Sequence, residues 1–140
     1  MTQETTERVE LRKSDSKAVA VARAHIEAWS HHDFKTAKDS LAPDVHVTVT
    51  TTQDMMSPTD TIGIEKYMGG LEKFAQIVVP GSARIIASAG DDHNALIAVN
   101  VKAGLDPNKA PVTLTGARLY LLNEKNKIQA EQVIFCVLVS

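Results

Sequence analysis

The stretch from Ser14 to Thr50, SDSKAVAVARAHIEAWSHHDFKTAKDSLAPDVHVTVT, predicts two helices that lead into a strand. The apolar residues of its first half recur at intervals of three and four, which places them on one stripe of an α-helix. These residues are Val19, Ala22, Ile26 and Trp29. We therefore expect this stripe to be buried against the rest of the protein.

Polar residues and a proline mark the ends of these elements. Residues 14–16 are Ser, Asp and Ser, whose side-chain oxygens can accept hydrogen bonds from the free N–H groups of the first helix. Asp33 is placed to cap a second, shorter helix in the same way. Pro43 ends that helix, because proline has no N–H group to donate. The alternation of valine with polar residues after it predicts a half-buried strand at residues 44–50.

The rest of the chain predicts one more helix and then a series of strands. Residues 50–61, TTTQDMMSPTDT, are predicted as a loop, which is either a plain surface connection or a flap. From Ile64 to Val78 the spacing is helical again, with Gly63 before it and a Pro-Gly pair after it. Four strands with short connections, an antiparallel meander, are then predicted at residues 83–89, 95–103, 112–122 and 128–139.

The helical segments lie in the first half of the chain and most strands in the second. This order predicts an α+β domain in which helices cover one face of a curved antiparallel sheet. Residues 1–13 are polar, lack apolar periodicity and are predicted as a flexible arm. A length of 140 residues suits one domain with one core, so we assign residues 14–140 to a single domain.

Composition limits the possible partners. The 15 basic and 17 acidic residues provide no basic field, so we expect no nucleic-acid partner. Cys136 is the only cysteine, which excludes an internal disulfide and fits a reducing compartment. The N-terminus lacks the apolar segment of a signal peptide, and no run of about 20 apolar residues could span a bilayer. We expect a soluble, cytoplasmic protein that does not associate with a membrane.

The runs HIEAWSHHDFKTAKDSLAPDVHVTV and TIGIEKYMGGLEKF, followed by four strands, resemble the nuclear transport factor 2-like superfamily. That superfamily includes ketosteroid isomerases and SnoaL-like polyketide cyclases. Asp33, Asp44 and Gly63 match its aspartate at the start of the second helix, its acidic residue before the first strand and its glycine before the third helix. The resemblance implies a cone-shaped half-barrel with a deep pocket, commonly in a homodimer formed through the outer face of the sheet.

The chain departs from the catalytic pattern of the ketosteroid isomerases. Without gaps, their tyrosine in the first helix falls at His25, their base at Val49 and the aspartic acid of their oxyanion site at Arg118. Valine cannot accept a proton, so the resemblance does not extend to that mechanism. Limonene epoxide hydrolases, on the same scaffold, use an arginine and two aspartates. Arg118 and Glu131 resemble the arginine and one of the two acidic residues, and Tyr120 occupies the position where the second acidic residue would be needed.

Alternation along two neighbouring strands brings the candidate catalytic residues together. Arg118 and Tyr120 share one side of their strand, and Glu131 shares a side with Phe135, so a pairing of Arg118 with Glu131 across strands is expected. Each residue also has a structural interpretation. His25 borders the apolar stripe either as a proton carrier or as a partly buried structural histidine. Arg118 is either an anchor for oxygen inside the pocket or part of a surface or interface salt bridge.

The sequence predicts a pocket for an apolar small molecule and leaves catalysis open. In one hypothesis the protein is an isomerase, cyclase or hydrolase acting on a carbonyl-bearing ligand, with Arg118 polarising oxygen and His25 or Glu131 moving the proton. In the other it is a non-catalytic binding or dimerisation module. No cofactor or metal ion is expected, because no motif for either is present. The predicted ligand-binding residues are Trp29, Val49, Tyr67, Met68, Leu71, Asn100, Tyr120 and Phe135. For Asn100 a second position is equally expected, facing a neighbouring subunit.

Overall fold

A computed structural model describes residues 15–51 and 59–138. The predicted arm at residues 1–13 lies outside this range, as does the middle of the predicted loop. The described part contains three helices and six strands. The helices are α1 (Lys17–Ser30), α2 (Phe34–Asp39) and α3 (Ile64–Ile77), and the strands are β1 (Leu41–Thr51), β2 (Thr59–Ile62), β3 (Arg84–Gly90), β4 (Asn94–Ala103), β5 (Val112–Leu122) and β6 (Ile128–Leu138).

The starts of the helices follow from local chemistry. The Ser16 side chain accepts a hydrogen bond from the backbone N–H of Val19, which caps α1. Asp33 caps α2 by accepting from the backbone N–H of Thr36, at 3.2 Å. Gly63 precedes α3 with φ at 106°, a conformation that glycine adopts without the steric strain of a side chain. Among the described helices, none is long and apolar enough to cross a membrane.

The strands form one six-stranded sheet in the order β2-β1-β6-β5-β4-β3. The predicted meander from β3 to β6 is confirmed, because each of these strands pairs antiparallel with the next. β1 also pairs antiparallel with β2 but runs parallel to β6. The sheet is therefore mixed, and the prediction of a purely antiparallel sheet is corrected at that one pairing.

Two boundaries differ from those predicted. β1 begins at Leu41 and includes Pro43, which was expected to precede the strand. The register of β1 against β6 shifts between Leu41 and His46, and an irregular stretch of this kind accommodates a residue without an N–H group. Thr59–Ile62 forms the edge strand β2, although residues 59–61 were predicted as part of a loop. It pairs with β1 on one side only, so its polar composition suits an exposed edge.

The helices cover one face of the sheet and bury the apolar core between them. The α1 stripe is buried as predicted, with Ile26 and Trp29 fully inaccessible. In β5 every second residue from Leu114 to Leu122 is buried, so one face of that strand points into the core. This predicted α+β arrangement of three helices on a curved, open sheet is confirmed. It leaves a space between α3 and the sheet.

Candidate functional site

A cavity of about 420 Å³ lies between α3 and the inner face of the sheet. Its outer end is bordered by exposed residues, including Lys66 and Lys73 of α3 and Thr59 of β2. The volume falls within the range of small-molecule sites in proteins. Most of the wall is apolar, formed by Val47, Val49, Leu71, Phe74, Ile77, Val133 and Phe135.

Three polar side chains lie at the inner end of this cavity. Arg118 of β5 and Glu131 of β6 are each 3% exposed, and Tyr67 of α3 is 4% exposed. The Tyr67 hydroxyl donates a hydrogen bond of 2.8 Å to Glu131 Oε1, and Arg118 Nη1 lies 3.5 Å from Glu131 Oε2. The carboxylate therefore has a hydroxyl on one oxygen and a cation on the other.

His25 lies behind Tyr67 and is fully buried. Its Nε2 is 2.9 Å from the Tyr67 hydroxyl, and its Nδ1 is 3.0 Å from the backbone carbonyl of Ala37 in α2. It is not among the residues that line the cavity. Among the described residues, Tyr67 connects His25 to the cavity.

Aromatic rings surround the Arg118 guanidinium. Its Cζ lies 5.1 Å from the centre of the Trp29 ring, 5.2 Å from that of Phe135 and 6.0 Å from that of Phe74. Such cation–π contacts stabilise a cation that has lost most of its water. Gly116 makes room for this arrangement, because a Cβ there would lie 3.2 Å from a carbon of the Phe135 ring. The guanidinium is thus held in place by its stacking.

Burial keeps the site's hydroxyls protonated. It raises the pKa of Tyr67 and that of Tyr120 well above the ordinary value of 10.0, and the charge of Glu131 adds to both shifts. Among the described residues, Arg118 Nε has no hydrogen-bond partner, whereas the Tyr120 hydroxyl interacts electrostatically with both Glu131 and Arg118. The buried Arg118 Nε therefore represents an unused hydrogen-bonding capacity beside the cavity. No group of three potential metal-ligating side chains is found in the described part of the chain.

His25 predicts a pH dependence of stability. Burial lowers its pKa below the ordinary value of 6.5, although the charge of Glu131 opposes this shift. The unfolded state then binds a proton more readily, so stability is lost as pH falls from about 6.5 toward the folded pKa, by up to about 1.4 kcal/mol per pH unit. Urea unfolding between about pH 7 and 5 measures this slope. We expect a smaller slope in His25→Gln, and a wild-type stability that does not change with pH would contradict the expectation.

The structure brings most of the predicted site residues to one region. Six of them line the cavity: Val49, Tyr67, Leu71, Arg118, Glu131 and Phe135. Four are buried but do not line it: His25, Trp29, Met68 and Tyr120.

Asn100 does not fit the predicted site. It alternates with the buried Val99 and Val101 and accepts a hydrogen bond from Thr115 on the other face of the sheet, so its amide does not reach the cavity. Several cavity residues were not predicted, among them Val47, Phe74 and Lys73. Val47 alternates with Val49 and Phe74 lies seven residues after Tyr67, so periodicity contained a signal for both. Nothing in the sequence distinguished Lys73 from other exposed lysines.

Comparison with known proteins identifies the same architecture. A candidate ketosteroid isomerase from Kribbella flavida aligns with a TM-score of 0.66 and 15% identity, covering 89% of this chain and 81% of that one. A candidate SnoaL-like polyketide cyclase from Shewanella denitrificans aligns with a TM-score of 0.66 and 12% identity, covering 85% of this chain and 90% of that one. An LEH-like epoxide hydrolase of M. tuberculosis aligns with a TM-score of 0.65 and 15% identity, covering 86% of this chain and 83% of that one. At these identities the likeness shows the fold.

A comparison of the sequence with curated proteins gives no match. The profile of the SnoaL-like domain family, in contrast, matches residues 22–131. This range begins in α1 and ends at Glu131 in β6, so it includes every cavity-lining residue except Val133 and Phe135. The chain therefore belongs to the SnoaL-like domain family of the nuclear transport factor 2-like superfamily.

Proposed function

We propose that this protein binds an apolar, carbonyl-bearing small molecule in its cavity and transfers a proton at the carbon next to the carbonyl. The observation that carries this proposal is the placement of Arg118, Glu131 and Tyr67 together at the inner end of an otherwise apolar cavity. An apolar wall favours an apolar ligand body, and a few convergent polar groups orient its polar end. Isomerisation of a ketone and aldol-type cyclisation both begin with removal of a proton from the carbon next to the carbonyl, which this arrangement supports.

Each polar group has a separate role in the proposal. Arg118 has five N–H donors, and only one of them is directed at Glu131, so the guanidinium can also hold a carbonyl oxygen and stabilise the charge that develops there. Glu131 is the base that takes the proton from the neighbouring carbon. Tyr67 donates to the other carboxylate oxygen and orients Glu131. The names of two similar solved structures, a candidate ketosteroid isomerase and a candidate polyketide cyclase, support chemistry of this class.

Deuterium uptake by 2-acetylnaphthalene tests the proposal. This ketone has an apolar ring system, one carbonyl and a methyl group with exchangeable protons. In D₂O, we expect the protein to accelerate exchange of the methyl protons above the rate in protein-free buffer, as followed by proton NMR. Binding without accelerated exchange would contradict the catalytic step and favour a binding module. An absence of binding would contradict the cavity as a site for this ligand class.

A second candidate function, assembly of two copies, is favoured by the outer face of the sheet. That face carries contiguous apolar residues: Leu96 pairs with Leu119 across β4 and β5, and Ala117 pairs with Ile134 across β5 and β6. Leu96, Leu119 and Ile134 are 53%, 43% and 55% exposed. An exposed patch of this kind on a soluble domain often marks an interaction site.

We propose that the outer face forms a homodimer. Leu119→Lys places a charge in the centre of the patch, and we expect it to convert the dimer into a monomer in size-exclusion chromatography with light scattering. Leu105→Lys is the matched control, because Leu105 is also exposed but lies between β4 and β5 rather than on the sheet. A monomeric wild-type protein would contradict the homodimer.

A further inference from the structure

A line of three buried polar groups runs from the cavity into the protein interior. Glu131 is the first group, and its Oε1 lies 2.8 Å from the Tyr67 hydroxyl, the second group. His25 is the third group, and its Nε2 lies 2.9 Å from the same hydroxyl. His25 Nδ1 then meets the Ala37 carbonyl at 3.0 Å. The proposed function uses the cavity end of this line and gives no role to its inner end.

The three groups of the line have fewer protons than hydrogen-bond contacts when Glu131 is a carboxylate and His25 is neutral. A carbonyl oxygen only accepts hydrogen bonds, so the contact with Ala37 requires a proton on His25 Nδ1. The Tyr67 hydroxyl has one proton but two short contacts, one with His25 Nε2 and one with Glu131 Oε1. When His25 is neutral and Glu131 is a carboxylate, these two contacts share that single proton. One added proton completes both hydrogen bonds.

The added proton has two equivalent positions in this count. If it lies on Glu131, the acid donates to Tyr67 and Tyr67 donates to His25 Nε2. If it lies on His25, the imidazolium donates to Tyr67 and Tyr67 donates to the carboxylate. Both arrangements contain the same atoms and the same number of hydrogen bonds, and they differ only by the movement of two protons along the line.

The groups packed around His25 oppose each other in their effect on its charge. Tyr67 of α3 and the Ala37 carbonyl of α2 both contact its ring nitrogens. The Tyr120 ring of β5 packs edge-on at a centroid distance of 6.3 Å. Burial and the charge of Arg118 lower its pKa, whereas the charge of Glu131 and the Ala37 hydrogen bond raise it. His25 is therefore neutral at neutral pH and becomes charged when a proton arrives along the line.

We propose that Glu131, Tyr67 and His25 form a proton relay in which His25 stores a proton that Glu131 takes from the ligand. The ligand's C–H bond breaks and Glu131 gains the proton. Glu131 then passes a proton to the Tyr67 oxygen as Tyr67 passes its own to His25 Nε2. Glu131 returns to a carboxylate beside Arg118, and the reverse transfer delivers the proton to the product. This role rests on the proposed function, but the shared proton itself requires no ligand.

NMR of the ligand-free protein labelled with ¹⁵N-histidine tests the relay. The chain has five histidines, and His25→Gln identifies the His25 signals by their loss. At about pH 7.5 we expect the neutral tautomer with its proton on Nδ1, which is the less common form of free histidine. On acidification we expect both ring nitrogens to become protonated. In Tyr67→Phe the imidazolium loses its link to the carboxylate, so we expect the His25 pKa to fall by about one pH unit or more.

Tyr120→Phe is the matched control for Tyr67→Phe. It also removes a buried hydroxyl near His25, but the ring nitrogens of His25 contact Ala37 and Tyr67 rather than that hydroxyl. We expect the His25 signals to change little, and those of the exposed His93 to stay the same in every variant.

Three results would overturn the relay. The first is a neutral His25 with its proton on Nε2, and the second is an equal change of the His25 pKa in Tyr67→Phe and Tyr120→Phe. The third is a His25 imidazole that stays neutral until the protein unfolds in acid. Because no ligand is present, failure here is distinct from a failure of the ketone exchange that tests the proposed function.

Discussion

Replacing Arg118 with methionine is expected to lower the free energy of unfolding by about 3–5 kcal/mol. The side chains of Arg118 and Glu131 are only 4% and 3% exposed, so water does not compensate for the loss of the guanidinium. Glu131 would keep its bond from Tyr67 but would be left as a buried carboxylate without a cation. Chemical denaturation at neutral pH, followed by circular dichroism, measures the effect.

The double variant Arg118→Met with Glu131→Leu is the control for this prediction. It removes both charges and replaces them with apolar side chains, so we expect it to recover most of the stability that the single variant loses. The Trp29 and Phe135 rings that stack on the guanidinium would then pack against methionine. A loss of less than about 1 kcal/mol in the single variant, the size expected of an exposed pair, would contradict the burial of this pair.

Glu131→Gln is expected to slow the deuterium exchange of 2-acetylnaphthalene by about 100-fold or more, because an amide cannot serve as the base. Binding of the ketone is expected to change by less than about tenfold, since the variant has nearly the same shape and the cavity wall is untouched. Exchange is followed by NMR, and binding by isothermal titration calorimetry.

Glu124→Gln is the matched control for Glu131→Gln, since Glu124 is an exposed glutamate in the turn before β6. We expect it to exchange deuterium at the wild-type rate. Equal exchange rates for wild type and Glu131→Gln would show that Glu131 is not the base. Slower exchange in both Glu131→Gln and Glu124→Gln would point to an effect of net charge instead.

The parts of the fold that periodicity encodes were predicted correctly. The stripe of α1 and the alternation in β5 and β6 each depend on neighbours a few residues apart, so they show which residues share a face. This is why Arg118, Glu131 and Phe135 were expected on one side of the sheet and are found there. The homodimer, the ligand and the catalytic roles stay predictions.

What the sequence did not reveal depends on contacts between distant segments. The parallel pairing of β1 with β6 joins residues that lie far apart in the chain, such as His46 and Ala130, and no local pattern specifies it. The bond between His25 and Tyr67 connects residues 42 positions apart, so helical spacing placed both in the core without linking them. Asn100 lies on the outer face of the sheet, which corrects its assignment to the pocket and agrees with the alternative that it points away from it.

The most direct test of the cavity's function compares two ligands that differ only at the carbonyl. Isothermal titration calorimetry gives the dissociation constants of 2-acetylnaphthalene and of 2-ethylnaphthalene, which has a methylene group in place of the carbonyl. If Arg118 holds the carbonyl oxygen at the inner end of an apolar cavity, the wild-type protein binds the ketone about 10–100-fold more tightly, the value of a hydrogen bond to a charged group. Equal dissociation constants for ketone and hydrocarbon in the wild-type protein would contradict this account.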